Sequence, residues 1–228
     1  MILQTLEKTI HQENLTFTNQ RALYWDKTRS LIISDLHLGK SAYFRKNGIP
    51  VPSDILEDDL ERLDYLIHHF NAEHLLVVGD FLHAGRNTDF EIFQSWRNRN
   101  KNLKITLIKG NHDIHRADFL SDLDIEILED SLNLTPFTFI HVPEDTADQF
   151  CISGHLHPGV TVKLEKRKSV RLPCFRVSDS QLILPAFSKF TGLDTQSCQD
   201  FDCIAFTEEL IFELCVDSIS RKLKFFFN

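Results

Sequence analysis

Five stretches of this sequence place Asp, Asn or His just after an apolar run: Asp35-Leu36-His37, Gly79-Asp80, Gly110-Asn111-His112-Asp113, His141, and Gly154-His155-Leu156-His157. Their donors are oxygen and nitrogen without thiolate, a set that suits Mn²⁺, Fe or Zn²⁺ better than a cysteine-held structural zinc. Singly, each stretch is weak, because Gly-Asp and Gly-Asn also make ordinary turns. A turn has no use, however, for the histidine after Gly110-Asn111 or for the pair His155 and His157. Seven donors (Asp35, His37, Asp80, Asn111, His141, His155 and His157) are too many for one ion and suit two that share a carboxylate, with Asp80 the natural bridge. Two divalent ions about 3.5–4 Å apart are the arrangement that activates water for in-line attack on phosphorus. His112, beside Asn111, is placed to supply a proton to the leaving oxygen.

Such residues need strands to deliver them. Residues 21–25, 30–34, 75–78, 105–108, 137–140 and 150–153 are short runs rich in Ile, Val, Leu, Phe and Thr, and they predict strands. Residues 54–70 carry Ile55, Leu56, Leu63, Leu66, Ile67 and Phe70 at helical spacing, with Ser53 as the expected cap. Residues 88–100 open with Thr88-x-x-Glu91, a capping-box pattern, and place Phe90, Phe93 and Trp96 about a turn apart. Strands alternating with helices over residues 30–110 predict an α/β fold, in which loops at the carboxyl ends of neighbouring strands gather along one edge. Gly79, Gly110 and Gly154 are expected to turn the backbone sharply into the site. From residue 161 onward short strand-like runs (161–164, 181–184, 203–206 and 222–227) suggest a second sheet.

The 228 residues, 42% hydrophobic and 25% charged, fit a single globular domain spanning 1–228. A net charge of −8 counts against indiscriminate nucleic-acid binding but leaves room for a local basic patch. Lys163, Lys166, Arg167, Lys168 and Arg171 form such a cluster after Gly154–His157, either as a solvated hairpin tip or as a ridge gripping a polyanion, and Lys40, Arg45 and Lys46 could extend it. The five cysteines are odd in number and lack a CxxC pair, which argues against a disulfide framework or zinc ribbon. Cys174 reads as a buried small residue. His83 and Asp113 lie beside the motifs and are either partners that orient ligands or solvated loop residues. The first residues lack a signal-peptide core and no apolar run reaches membrane-spanning length, so a cytoplasmic location with no membrane partner is expected.

The motif series Asp-x-His, Gly-Asp, Gly-Asn-His-Asp, lone His, Gly-His-x-His over residues 31–157 resembles the calcineurin-like metallophosphoesterase superfamily. The resemblance implies a sandwich of two mixed β-sheets flanked by α-helices. It also implies one ion on Asp35, His37 and His157, a second on Asn111, His141 and His155, Asp80 as bridge and His112 as catalytic histidine. One departure is that the lone His stands in Ile140-His141-Val142-Pro143-Glu144, without the Gly or Glu-Pro that commonly adjoins it. Asp35-Leu36-His37-Leu38-Gly39-Lys40, Phe44-Arg45, Gly48-Ile49-Pro50-Val51-Pro52, Leu172-Pro173-Cys174-Phe175, Leu184-Pro185-Ala186-Phe187 and Phe190-Thr191-Gly192 are similar to a bacterial subgroup, the ligase-associated DNA damage response endonucleases. That likeness implies a manganese-dependent phosphodiesterase that cuts DNA, single-stranded or damaged, alongside a DNA ligase, a helicase and a second nuclease. Two alternatives stand beside it. A nucleotide-sugar pyrophosphate hydrolase of lipid A synthesis shares the Asp-Leu-His-Leu start but carries a helical cap for which no insertion is visible here. A catalytically silent scaffold would have no need of the complete donor set.

Overall fold

The computed structural model describes residues 1–113, 120, 122–144, 149–163, 168–195, 201–216 and 223–226. Runs such as Ser30–Ile33 (β4), His74–Val78 (β5) and Lys104–Ile108 (β6) are apolar on both faces because both faces are covered, and they pair in parallel. With Thr5–Ile10 (β1), Glu13–Thr18 (β2) and Leu23–Trp25 (β3) on one side and Glu126–Leu128 (β7) on the other, they make a seven-stranded mixed sheet in sequence order.

A second, nine-stranded mixed sheet begins at Ser131–Leu134 (β8) and continues with Phe137–Ile140 (β9), Phe150–Ser153 (β10), Gly159–Lys163 (β11), Ser169–Val177 (β12), Gln181–Ile183 (β13), Asp202–Phe206 (β14), Ile211–Val216 (β15) and Leu223–Phe226 (β16). It therefore starts earlier than the expected residue 161, and β9 and β10 belong to it. β9, β10 and β13 run parallel, with β10 in the middle; β11 folds back on β12 as a hairpin. Lys163 pairs with Ser169 in that hairpin, and Lys163, Lys168 and Arg171 are exposed on it. Lys166 and Arg167 of the basic cluster lie outside the described residues, as do Leu164, Lys222 and Phe227 at the ends of predicted strands.

The inner faces of the two sheets meet in one core: Phe17, Trp25, Ile32, Leu76, Val78 and Ile108 from the first, Phe137, Phe139, Ile152, Phe175, Leu182 and Phe206 from the second. A one-residue slip of any of these strands would turn its buried set outward, so this core also fixes register. The opposite face of the first sheet packs against Ile55–Phe70 (α2) and Thr88–Arg99 (α3) through Leu60, Leu63, Leu66, Phe90, Phe93 and Trp96. The expected caps shift by one position. Asn87, not Thr88, accepts from the Phe90 N–H at the start of α3. α2 starts after Asp54 with no side-chain cap, so Ser53 does not serve. A further short helix, Lys40–Lys46 (α1), follows β4. Among the described residues, no helix is long and apolar enough to cross a membrane.

Candidate metal centre

β4, β5, β6, β9 and β10 all end at the same edge of the sandwich, and the loops beyond them stay in register. The Asp35 and His37 N–H groups donate to the Gly79 and Asp80 carbonyls at 3.1 and 3.0 Å, which prolongs the β4–β5 pairing past the strands. In the second sheet the Gly154 N–H donates to the His141 carbonyl at 3.1 Å. Residues 184–188 join the two sheets: Ser34 and Ala186 form a parallel bridge, and the Phe187 N–H donates to the Ser34 carbonyl at 2.7 Å. That segment is held by two guanidiniums, the buried Arg62 and the partly buried Arg21. Arg62 donates to the Phe187 carbonyl at 2.6 Å and to Asp59 at 2.7 Å, and Arg21 donates to the Ala186 carbonyl at 2.8 Å.

Five of the seven candidate ligands leave their strands in the left-handed backbone region: Asp35 (φ 55°), His37 (52°), Asp80 (49°), His155 (70°) and His157 (48°). Asp and His tolerate this region better than most residues. The bend aims their side chains across the sheet edge. The glycines divide into two kinds. Gly79 has φ 79° and turns the chain as expected. Gly110 and Gly154 do not have positive φ; a Cβ there would meet the Asp80 backbone nitrogen at 2.2 Å or the Ser34 Oγ at 1.7 Å, so their role is close approach.

The donors assemble in two trios. Asp35, His37 and His157 place one ligand atom each within 4.8 Å of one another, and Asp80, His141 and His155 do the same. Each trio takes members from both sheets. Asn111 joins the second, its Nδ2 3.4 Å from His155 Nδ1. Despite its departing context, His141 is buried and its Nε2 lies 3.4 Å from Asp80 Oδ1. His112 hangs beside this trio: its backbone N–H donates to Asp80 Oδ1 at 3.0 Å, and its half-exposed ring has Nε2 4.0 Å from Asp80 Oδ2.

The donor chemistry fits cations. Asp35 Oδ1 is buried without a hydrogen bond of good geometry, its contact being His157 Nε2 at 3.2 Å, and the Nε2 atoms of His37 and His157 face each other at 3.4 Å. Two imidazole nitrogens at that distance repel unless a proton or cation lies between them. Burial pushes the His37 imidazole down to about 3, against the pull of the Asp35 carboxylate, so it offers a lone pair at neutral pH. Burial works against ionisation of Asp80 and His141 too, but their mutual hydrogen bond and charge win, holding the carboxyl low and the imidazole high. A divalent ion placed among these donors would satisfy such a cluster.

The supporting residues are less visible in sequence. Ser34 Oγ donates to Asp35 Oδ2 at 2.6 Å, and the His155 N–H donates to the same oxygen at 3.1 Å. No local pattern signals Ser34. Asp113 is fully buried, and its carboxylate accepts the N–H groups of Phe81, Leu82 and Gly110 at 3.2, 2.7 and 2.9 Å, tying the Asp80 loop to the Asn111 loop. It is thus a buried residue that positions the loops of candidate ligands, not a solvated one. His83 packs between the site's rings, 5.7 Å from His37 and 5.2 Å from His112. Cys174 is buried in a small cluster on the outer side of the second sheet, with Val160, Val162 and Phe212.

Residues 28–190 match the family described as calcineurin-like phosphoesterase. Among solved structures, a nuclease from Pseudomonas putida, MPE, is 30% identical with a TM-score of 0.77, covering 92% of this chain and 100% of its own. That likeness is consistent with the endonuclease subgroup suggested by the sequence. A phosphoesterase from E. coli, Yfce, aligns at 13% identity and a TM-score of 0.41 over 85% of this chain and 95% of its own. No curated protein matches the chain. A family match over more than half its length, on a fold that gathers the family's Asp, Asn and His motifs at one edge, identifies the chain as a member of the calcineurin-like phosphoesterases.

Proposed function

We propose that this phosphoesterase is a phosphodiesterase with a dinuclear centre, most simply a DNA endonuclease acting on single-stranded or damaged DNA. The observation that carries the reading is the pair of trios beside His112, in a chain that is 30% identical to a nuclease along that nuclease's whole length. Asp35, His37 and His157 would hold one ion and Asn111, His141 and His155 the other, with the Asp80 carboxylate shared between them. When bound, two Mn²⁺ ions (or Fe or Zn²⁺) supply Lewis acidity at the phosphate and a nucleophilic water at neutral pH.

The chain's own residues supply position and a proton. The His141 Nδ1 lies 3.0 Å from the Val78 carbonyl, which fixes the ring and leaves Nε2 turned to the site. His112, fixed by its backbone on Asp80 and partly open to solvent, is the group that would protonate the departing ester oxygen. A cytoplasmic role in DNA repair beside a DNA ligase, a helicase and a second nuclease is part of the proposal and rests on the subgroup resemblance.

The test strips the protein with chelator, restores Mn²⁺ and follows cleavage of labelled single-stranded DNA, with Asp80→Asn as control. Metal-dependent cutting that the variant loses supports the reading. Intact DNA with hydrolysis of a small chromogenic phosphodiester retains the phosphodiesterase and removes DNA. Neither activity with Mn²⁺, Fe²⁺ or Zn²⁺ would return the chain to a silent scaffold.

A further inference from the structure

Beside the trios, a chain of aromatic rings leads from the site's histidines out to α1. It begins at His37 and His112, both in ring contact with His83. His83 touches Tyr43 on α1 at 5.7 Å, so the Tyr43 and His37 rings are at most two 5.7 Å steps apart. Tyr43 also meets Phe44 at 6.1 Å, and Phe44 leads on to Phe190 at 5.6 Å. Tyr43 is 49% exposed, and both of its ring contacts are steeply inclined, at 69° and 81°; neither is a parallel stack.

One exposed tyrosine would mean nothing. The cations around this one point to its ligand. Lys40, a turn earlier on the same helix, has its Nζ 5.7 Å from the Phe190 ring centroid; burial pushes its pKa down, and the Asp35 and Asp80 carboxylates oppose that shift. Lys46 is exposed at the helix end. An aromatic ring with an open face, flanked by lysines and one neighbour away from a phosphate-handling centre, is the combination that binds unpaired nucleic acid: lysines track the backbone and the ring takes a base.

We propose that Tyr43 stacks an unpaired base of the substrate strand, on a nucleotide adjoining the phosphodiester at the metal centre. The proposal rests on the nuclease reading and names the residue by which the site would prefer single strands, since bases inside a duplex already have both faces stacked. Stacking of one base on an aromatic side chain is tolerant of sequence, so the preference is for unpaired structure and not for a base identity.

The test compares wild type, Tyr43→Ala and Tyr43→Phe in Mn²⁺, on a single-stranded oligonucleotide and on a short abasic phosphodiester of tetrahydrofuran units, which has no base or other aromatic ring. The expected result is a roughly 5- to 100-fold fall in the ratio of kcat/KM for the strand over that for the diester in Tyr43→Ala, carried mainly by KM, with Tyr43→Phe restoring most of it. As a readout independent of turnover, 2-aminopurine in the strand should be quenched on binding to the chelated wild type and less so on Tyr43→Ala. An unchanged ratio overturns the stacking role while leaving the nuclease reading intact. Equal losses on both substrates make Tyr43 a structural support and also overturn it. If the wild type hydrolyses the diester but no strand, the nuclease reading fails first and the stacking proposal with it.

Discussion

Replacing Asp113 by Asn would change no volume and remove one acceptor oxygen, and the structure sets what that costs. Oδ2 accepts two N–H groups, from Phe81 and Gly110, and Oδ1 accepts the shortest of the three bonds, from Leu82. An amide has a single acceptor oxygen, so its best orientation keeps the two bonds at the Oδ2 position and turns its NH₂ toward the Leu82 N–H. One hydrogen bond to charge is lost, a buried donor is orphaned, and the two surviving bonds lose their charge assistance. A bond to a charged group contributes about 1.5–3 kcal/mol, and an orphaned buried donor costs about 1–3 kcal/mol. Against this, burial raises the Asp113 pKa, so a neutral amide escapes part of the desolvation that the carboxylate suffers. The net expectation is a loss of about 2–3 kcal/mol at neutral pH. Urea unfolding of the chelated protein measures it without interference from metal affinity. Calorimetric Mn²⁺ titration should in addition show affinity weakened about 10- to 100-fold, because the Asp80 and Asn111 loops would no longer be held together. A variant within about 0.5 kcal/mol of wild type would refute the claim that Asp113 ties these loops.

Two further outcomes follow from particular contacts. Gly154→Ala would place a methyl 1.7 Å from Ser34 Oγ and 2.8 Å from Asp35 Oδ2, and should cost about 1–3 kcal/mol or more. Ser34→Gly clears the nearest of these atoms, so the double variant should unfold at higher urea than Gly154→Ala alone; simple additivity of the two changes would contradict the close-approach account. His74 bridges Ser30 and Thr106 across β4, β5 and β6, and burial with the Lys104 charge pushes its imidazole down to about 4, Glu126 opposing. A folded value below the ordinary one means that the unfolded chain takes up the proton first. Its stabilisation is therefore complete above about pH 6.5 and is lost as pH falls from there to about 4. Allowing for the ring's partial exposure, the loss should be about 1–2 kcal/mol. The urea-midpoint advantage of wild type over His74→Gln should shrink between pH 7.5 and 4.5, and a constant advantage would exclude His74 as the source.

The strands that carry donors were legible because a strand buried on both faces is a continuous apolar word, and an Asp or His directly after it stands out. The hairpin of β1 and β2 was not. Its turn is His11-Gln12 with both residues at positive φ (49° and 66°), where the usual Asn-Gly signal is absent. α1 is only seven residues long and starts after Gly39 with no side-chain cap, so it offers neither periodicity nor a start signal. At the site, the candidate ligands could be named from local spacing alone. Ser34 and Asp113 could not be assigned roles, since Asp113 works on backbone groups 31 and 32 residues away, and the Ser34 hydroxyl, whose one proton lies between Asp35 Oδ2 and the Val78 carbonyl 44 residues away, is placed by the fold. Local pattern identifies what a chain can coordinate, while the residues that hold those groups still are defined only by tertiary neighbours.

Because each trio draws on both sheets, neither sheet can assemble a binding site by itself. Any ion held there is a rivet through the sandwich, joining residues 35–37 to 157 and residue 80 to 141 and 155. Sliding of one sheet over the other would then be resisted at that edge by coordination, in addition to the apolar core and the polar contacts that already join the sheets. Loading the centre should therefore slow amide exchange along the facing strands far from the ions, so that the catalytic edge also acts as the seam controlling how freely the two halves breathe.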